Sequence, residues 1–519
     1  MTSLYDKLLQ EMQTLQDTPQ TSTAHALERQ HSKGRLSVWE RLSYLTDGQY
    51  DLYWRNFGDH EDGASIVTAI GDIHGREVAI YGHDFMQRAG SMDANNGRKL
   101  ADFLAMAGKL GIPVVGLNDS AGAFIPAGVG GLESYAKAFK GLRDISGRVP
   151  SIMTMFGFNA GGGAYLPRQG SFMIQPQNTF YGLTGPDVVR RVLGEQITAD
   201  ELGGPATHQA TGVTDFAVET EYDALNLVIQ LLQYIPSSSD VAPARVSTSD
   251  PQNRECSSIE HLLRHTLNSP SGFYTPFDIR ILIQGFVDHG AIFEFQPQRA
   301  QNMVCAFSRL DGLVTGVVAN NSAFLSGQID CDAANKATRF IRFCNLYNIP
   351  LLFLEDTTGF LPGSEQEKRG IVQAGRAMLD AIVDLRVPRM LCVVRNAFGG
   401  AYASFNNYST GADVVFALPT ARIAVMGTAG AAFVYKQEIK AIENAFEESQ
   451  DTVARSQALD ELYARYTHEF LNAHEAVRLG AVSDMLDPLA MRSTFIRHLN
   501  RLWQGYSPGP MTSLQREFF

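Results

Sequence analysis

The chain is short of the features that would place it in several large classes. Its five cysteines, Cys256, Cys305, Cys331, Cys344 and Cys392, form no CxxC pair and are odd in number. That excludes a zinc ribbon and a secreted disulfide framework, and predicts buried thiols in a reducing compartment. No apolar run reaches the roughly 18 residues that a membrane span needs. No Lys/Arg run offsets the formal net charge of −12, so phosphate electrostatics cannot drive nucleic-acid binding. No Walker A loop, metal-ligand cluster or nucleophile–base dyad stands out, and the twelve histidines, His208 included, read as structural. The N-terminus lacks a signal-peptide layout. Leu4, Leu8, Leu9, Met12 and Leu15 recur at helical spacing, which predicts a docking helix on a cytoplasmic protein.

What the 519 residues do contain is a repeat. Residues 111–122 read GIPVVGLNDSAG and residues 348–359 read NIPLLFLEDTTG, an offset of 237. The same offset pairs Val67 with Val304, Gly75 with Gly312 and Lys99 with Lys336. It also pairs the GGAY of Gly162–Tyr165 with the GGAY of Gly399–Tyr402. Four blocks at one offset mark a tandem duplication. Residues 236–252 (PSSSDVAPARVSTSDPQ) have linker composition, so the expected domains are 1–255 and 256–519. Residues 441–470, rich in Glu, Ala, Leu and Arg, have no counterpart in the first half and predict a helical insertion. In each half, strand-sized apolar runs (112–117 and 152–156; 349–354 and 390–394) alternate with helical stretches. The fold class is therefore α/β, with strands buried on both faces.

Two segments carry the chemistry: FNAGGGAY at 158–165 and NAFGGAY at 396–402. Each follows an apolar strand and opens a small-residue stretch able to start a helix. Glycines there let a ligand approach the backbone and leave N–H groups free for an anion or a developing oxyanion. Two such sites can stabilise two developing charges in one reaction, which is what carboxyl transfer between a thioester enolate and a urea-type nitrogen requires.

At these residues the chain resembles the carboxyltransferase (β) subunits of biotin-dependent acyl-CoA carboxylases, of the propionyl-CoA and methylcrotonyl-CoA type, in the crotonase superfamily. The resemblance runs through HSKGRLSVWERLSYL (31–45), GLNDSAGA (116–123), GGGAYLP (161–167) and LTGPDVVRRVLGEQITADELGGPATH (183–208). It continues through FIRFCNLYNIPLLFLEDTTGFLPGSEQE (340–367), FGGAY and IAVMG (423–427). It implies two crotonase-like domains, the first binding acyl-CoA and the second the biotin of a partner. Gly161, Gly162 and Gly163 would supply the thioester oxyanion hole, and Gly399, Gly400 and Ala401 would face the biotin carbonyl. Ala121, Gly122, Phe124, Tyr165 and Ala403 would line the substrate. No metal is implied.

The resemblance further implies a homo-hexameric core with sites at subunit contacts and a biotin carboxylase/biotin carrier partner. This chain has no Met-Lys-Met biotinylation motif or ATP-grasp signature of its own. The alternatives are a biotin-dependent decarboxylase subunit running the transfer in reverse, and a catalytically impaired scaffold. The sequence departs from the family at residues 121–127 (AGAFIPA), at Gln373-Ala374, at Thr428-Ala429 and at Ala403. Phe124, Pro126, Ala127 and Ala403 together predict a roomier, drier acyl pocket that favours a medium, branched or otherwise non-standard acyl-CoA, longer or bulkier than acetyl, with propionyl-CoA tolerated.

Overall fold

The computed structural model describes residues 3–17, 24–54, 65–447 and 452–509. The first half holds strands β1 (Tyr50–Leu52), β2 (Ile66–Asp72), β3 (Glu77–His83), β4 (Val114–Asn118), β5 (Ser151–Met155), β6 (Phe158–Ala160), β7 (Phe172–Pro176), β8 (Phe180–Gly182) and β9 (Phe216–Val218). Seven of them form a sheet in the order β1-β2-β3-β4-β5-β7-β9, and β6 pairs with β8. The second half holds β10 (Phe293–Phe295), β11 (Met303–Leu310), β12 (Leu313–Asn320), β13 (Leu351–Thr357), β14 (Arg389–Phe398), β15 (Val414–Ala417), β16 (Arg422–Ala424) and β17 (Asp484–Met485). Its sheet runs β10-β11-β12-β13-β14-β15-β17, with β16 alongside β14. In both sheets the first three strands are antiparallel and the rest parallel.

The 237-residue offset holds at the level of register and dihedral angle. Val67 faces Gly82 in the β2–β3 hairpin, and Val304 faces Ala319 in β11–β12. Both hairpins turn through two left-handed residues, His74-Gly75 and Asp311-Gly312. The left-handed run Arg88-Ala89-Gly90 returns as Leu325-Ser326-Gly327. Glycine is required at the end of each run. A Cβ on Gly90 would stand 2.2 Å from the Asp119 carbonyl oxygen, and one on Gly327 2.3 Å from that of Asp356.

Apolar faces of these strands and of the helices Ala94–Leu110 and Val129–Ile145 make the first core, including Leu100, Phe103, Leu104, Leu142 and Met153. The second core gathers Ile283, Phe286, Val317, Leu354, Cys392, Phe416 and Phe495. All five cysteines are buried, free thiols. Burial raises the Cys305, Cys344 and Cys392 thiols above their usual range, which leaves them unreactive.

Chain contacts divide the molecule after Pro243, twelve residues before the boundary expected from composition, with residues 346–348 siding with the first unit. The reason is packing. Val246 N–H donates to Gly312 O at 3.1 Å, and Arg254 donates to the Gly285 and Val287 carbonyls. A Ser/Pro-rich segment can be an ordered strap when its backbone groups find partners. The helical insertion is present as Lys436–Glu447 and Thr452–Phe470. Tyr435, Leu462 and Tyr466 from it pack with Phe398, the residue before the second glycine turn. The helix Leu4–Asp17 forms as its periodicity predicts. Among the described residues no helix is long and apolar enough to cross a membrane.

Candidate active site

Both glycine turns stand where a parallel strand ends and a short helix begins. In the first half the left-handed corner is Gly161 (φ 61°), which caps the helix Gly162–Arg168. Its N–H donates to the Gly182 and Leu183 carbonyls, which ties the corner to β8. Among the described residues, the N–H groups of Gly162 and Gly163 have no acceptor. In the second half the corner is Gly399 (φ 60°), first residue of the helix Gly399–Ser404, and the N–H groups of Gly400 and Ala401 likewise have no acceptor among the described residues. The corners therefore match at an offset of 238, one more than the GGAY letters suggest. Each turn offers two adjacent donors at a helix N-terminus, an arrangement suited to an anionic oxygen.

The surroundings of the two turns differ. Tyr135, nearly fully buried, lies flat behind Gly162: a Cβ there would meet the ring at 2.6–2.8 Å. A side chain at Gly162 would therefore enter the core and not the space in front of the turn. Gly400 has only Phe360 within reach, at 3.9 Å, and opens on a cleft of about 480 Å³. Phe360, Ile371, Gly375 and Leu379 make its apolar lining, Glu367 and Arg376 its charged part, and Ser404 lies one helical turn beyond Gly400.

The expected substrate-lining residues are scattered by exposure. Ala121 is exposed and Gly122 buried, with the Gly122 N–H donating to Ser120 Oγ at 3.1 Å. Phe124 is half-buried, and the Arg88 guanidinium covers its ring at 4.4 Å. The wall expected to be dry therefore carries a cation, supplied by a different residue. Tyr165 is 58% exposed. Ala403 is exposed, one position short of the Gly400–Ser404 row that lines the cleft.

Burial shifts the ionisable groups near the strand ends. His83 is buried with neither ring nitrogen hydrogen-bonded among the described residues, and burial lowers its pKa to about 4, so the ring is neutral. Burial raises Tyr135 to about 12 and Asp84 to about 6. His208 lies edge-on to Tyr181 and shares a hydrogen bond with Gln175, a structural role as expected. Among the described residues no group of three or more His, Cys, Asp or Glu could hold a metal.

Glu355 was not legible as special in the sequence. It is fully buried near the C-terminal end of β13, and neither carboxyl oxygen has a partner among the described residues. Burial first, then the neighbouring Asp356, push its pKa well above the ordinary 4.5. Its counterpart, Asn118, accepts from Tyr81 Oη and donates to the Gly116 and Thr154 carbonyls. An acid that holds its proton more tightly when folded favours folding at low pH and loses that advantage as pH rises. Between pH 4.5 and the raised folded pKa, stability should therefore fall as pH rises on account of this group. Glu355→Gln should remove that slope. Urea unfolding at pH 5.5 and 7.0 checks it, and equal slopes in wild type and variant would mean that Glu355 is ionised in the fold.

A duplicated α/β enzyme with one oxyanion-type turn per half is the class that fold and site define. The family described as "Carboxyl transferase domain" matches residues 29–516. The chain belongs to the carboxyl transferase family and is an enzyme. It is 38% identical over 487 residues to the propionyl-CoA carboxylase carboxyltransferase subunit of Haloferax mediterranei, covering 91% of each chain. It is 36% identical over 491 residues to the methylmalonyl-CoA decarboxylase subunit alpha of Propionigenium modestum, covering 92% of each. Among solved structures, it superposes on transcarboxylase 12S with hydrolysed methylmalonyl-coenzyme A bound at a TM-score of 0.88. The identity there is 32%, over 99% of this chain and 98% of that one. The duplicated crotonase-like architecture expected from the sequence is thus the architecture of the molecule.

Proposed function

We propose that this chain is the carboxyltransferase subunit of a biotin-dependent acyl-CoA carboxylase, moving a carboxyl group from carboxybiotin on a partner's carrier domain to the α-carbon of an acyl-CoA. The observation that carries this reading is the pair of glycine turns, each with two unengaged N–H groups. On the first turn, the Gly162 and Gly163 amides would hold the thioester oxygen and stabilise the enolate that forms when the α-proton leaves. On the second, the Gly400 and Ala401 amides would hold the ureido oxygen. The fit is favourable there, because Gly400 faces open space and an apolar cleft rather than packed side chains. Bound carboxybiotin would supply the carboxyl group and the base for the α-proton. The protein's own part is to orient both carbonyl oxygens and keep the donors fixed.

The transcarboxylase 12S structure is described as a hexamer assembly, and a homo-hexameric core with a biotin carboxylase/biotin carrier partner completes the reading for this chain. The decarboxylase relative favours one second reading, in which the same turns run the transfer in reverse. The test is to purify the chain with its biotinylated partner and supply 14C-bicarbonate, ATP and propionyl-CoA. ATP-dependent label in the acyl-CoA is the expected result. ATP-independent CO2 loss from methylmalonyl-CoA without any fixation would replace carboxylase by decarboxylase, and neither activity would reduce the chain to a scaffold.

A further inference from the structure

Each glycine turn is backed by a buried aspartate at the same place in the repeat, and each aspartate has a buried arginine partner. Asp119 follows β4 and Asp356 lies in β13, 237 residues apart, exposed by 0% and 1%. Arg41 donates from Nη1 to Asp119 Oδ2 at 3.0 Å, and Arg35 donates to Oδ1. Arg41 also forks onto Glu221, at 2.9 Å twice, and its guanidinium lies 4.0 Å over the Phe156 ring. In the second half Arg395 donates from Nη2 to Asp356 Oδ2 at 2.7 Å and from Nε at 3.2 Å, and its guanidinium lies 4.5 Å over Phe277.

Each aspartate is linked toward its turn, in part by the same bond and in part by a different one. The residue after each, Ser120 or Thr357, uses its hydroxyl to accept the N–H of Gly122 or Gly359, at 3.1 Å in both halves. Asn159 and Asn396, also 237 apart, complete the link. Asn159 Oδ1 accepts the Ser120 N–H at 3.0 Å, and Asn396 donates its N–H to Asp356 Oδ1 at 3.2 Å. Asn159 stands two residues before Gly161 and Asn396 three before Gly399. The arginines, by contrast, are not repeat-equivalent. Arg35 and Arg41 precede the first sheet, whereas Arg395 lies in β14 at the position that Phe158 occupies in the first half.

We propose that Asp119 and Asp356 are positioning residues for carboxyl transfer, each clamped by its arginine so that the adjacent glycine turn holds its two donors in place. A buried ion pair is a poor source of stability compared with an apolar pair of the same volume, so its presence in both halves from different cations calls for another role. Oxyanion donors work only when preorganised, and an error of about 1 Å in placement can cost about 100-fold in rate. The assignment of turns to ligands rests on the reading above.

The experiment uses the full-length chain, with methylmalonyl-CoA as carboxyl donor and free biotin as acceptor, giving propionyl-CoA and carboxybiotin. Asp356→Asn should lower both Tm and turnover. Arg395→Lys keeps the charge but loses the fork, and should fold near the wild-type Tm with turnover down by about 100-fold. The double variant Asp356→Leu/Arg395→Met removes both charges and should recover Tm but not turnover. In both, KM for free biotin should rise while KM for methylmalonyl-CoA stays within about twofold, and Asp119→Asn should show the opposite split. If turnover recovers together with Tm in the double variant, or Arg395→Lys is fully active, the aspartates are structural and the proposal falls. If turnover stays low but the methylmalonyl-CoA KM moves instead, the clamps position the turns and it is the biotin-side assignment that falls.

Discussion

Gly400→Val should fold normally and lose turnover by about 100- to 1,000-fold, the loss seen when one oxyanion donor is removed. Position 400 has no left-handed φ, and beyond its own helix backbone and chain neighbours no atom comes closer than 3.9 Å to a Cβ there, so a side chain starts clear of the packed core. It projects instead toward the cleft lined by Phe360 and Ser404, over the two donors of the turn. Circular dichroism and light scattering should match wild type while kcat falls. Gly162→Val provides the contrast: its side chain drives into Tyr135, so the protein should lose stability before any catalytic effect can be read. Full activity in a folded Gly400→Val protein would remove the second turn from the reaction.

Arg41→Met should destabilise the first unit by about 3–5 kcal/mol, because it strips a buried cation from two carboxylates at once. Arg41 is fully buried, and although burial works against its charge, Asp119 and Glu221 together hold its pKa above the usual arginine value. Without it, among the described residues, Glu221 keeps only the Leu36 N–H, and Asp119 keeps Arg35. Thermal and urea unfolding of wild type and variant measure the loss. A change below about 1 kcal/mol, the size expected of an exposed pair, would show that the network is solvated in solution.

Much of this was legible in the letters. The runs at 112–117 and 349–354 are continuous apolar stretches of strand length, and both became parallel strands buried on both faces. The repeated GGAY marked both turns because a backbone donor site needs small residues in sequence, and local chemistry of that kind leaves a local signature. The clamps left none, since Arg41 lies 78 residues from Asp119 and 180 from Glu221, and neither spacing belongs to a local motif. Glu355 was hidden inside a familiar-looking LFLED, where nothing in the letters says which of two adjacent acids finds a partner. The direction of a Cβ at Gly162 likewise depends on Tyr135, set by tertiary packing alone. Composition draws the divide near residue 255 and chain contacts draw it after Pro243, because composition reports a segment's propensity and not the carbonyls it meets.

The unequal origin of the arginines bears on how the molecule was built. A single ancestral sheet, copied once, would have passed the same cation to both descendants. Here one copy draws its cation from residues that precede its sheet and the other from its own strand, while Phe158 holds the place of Arg395. At least one of these arrangements therefore postdates the copying, and the carboxylate is the part neither lineage gave up. A construction of that kind ages unevenly: trimming the segment that carries Arg35 and Arg41 would disarm the first half alone and leave the second with its pairing intact.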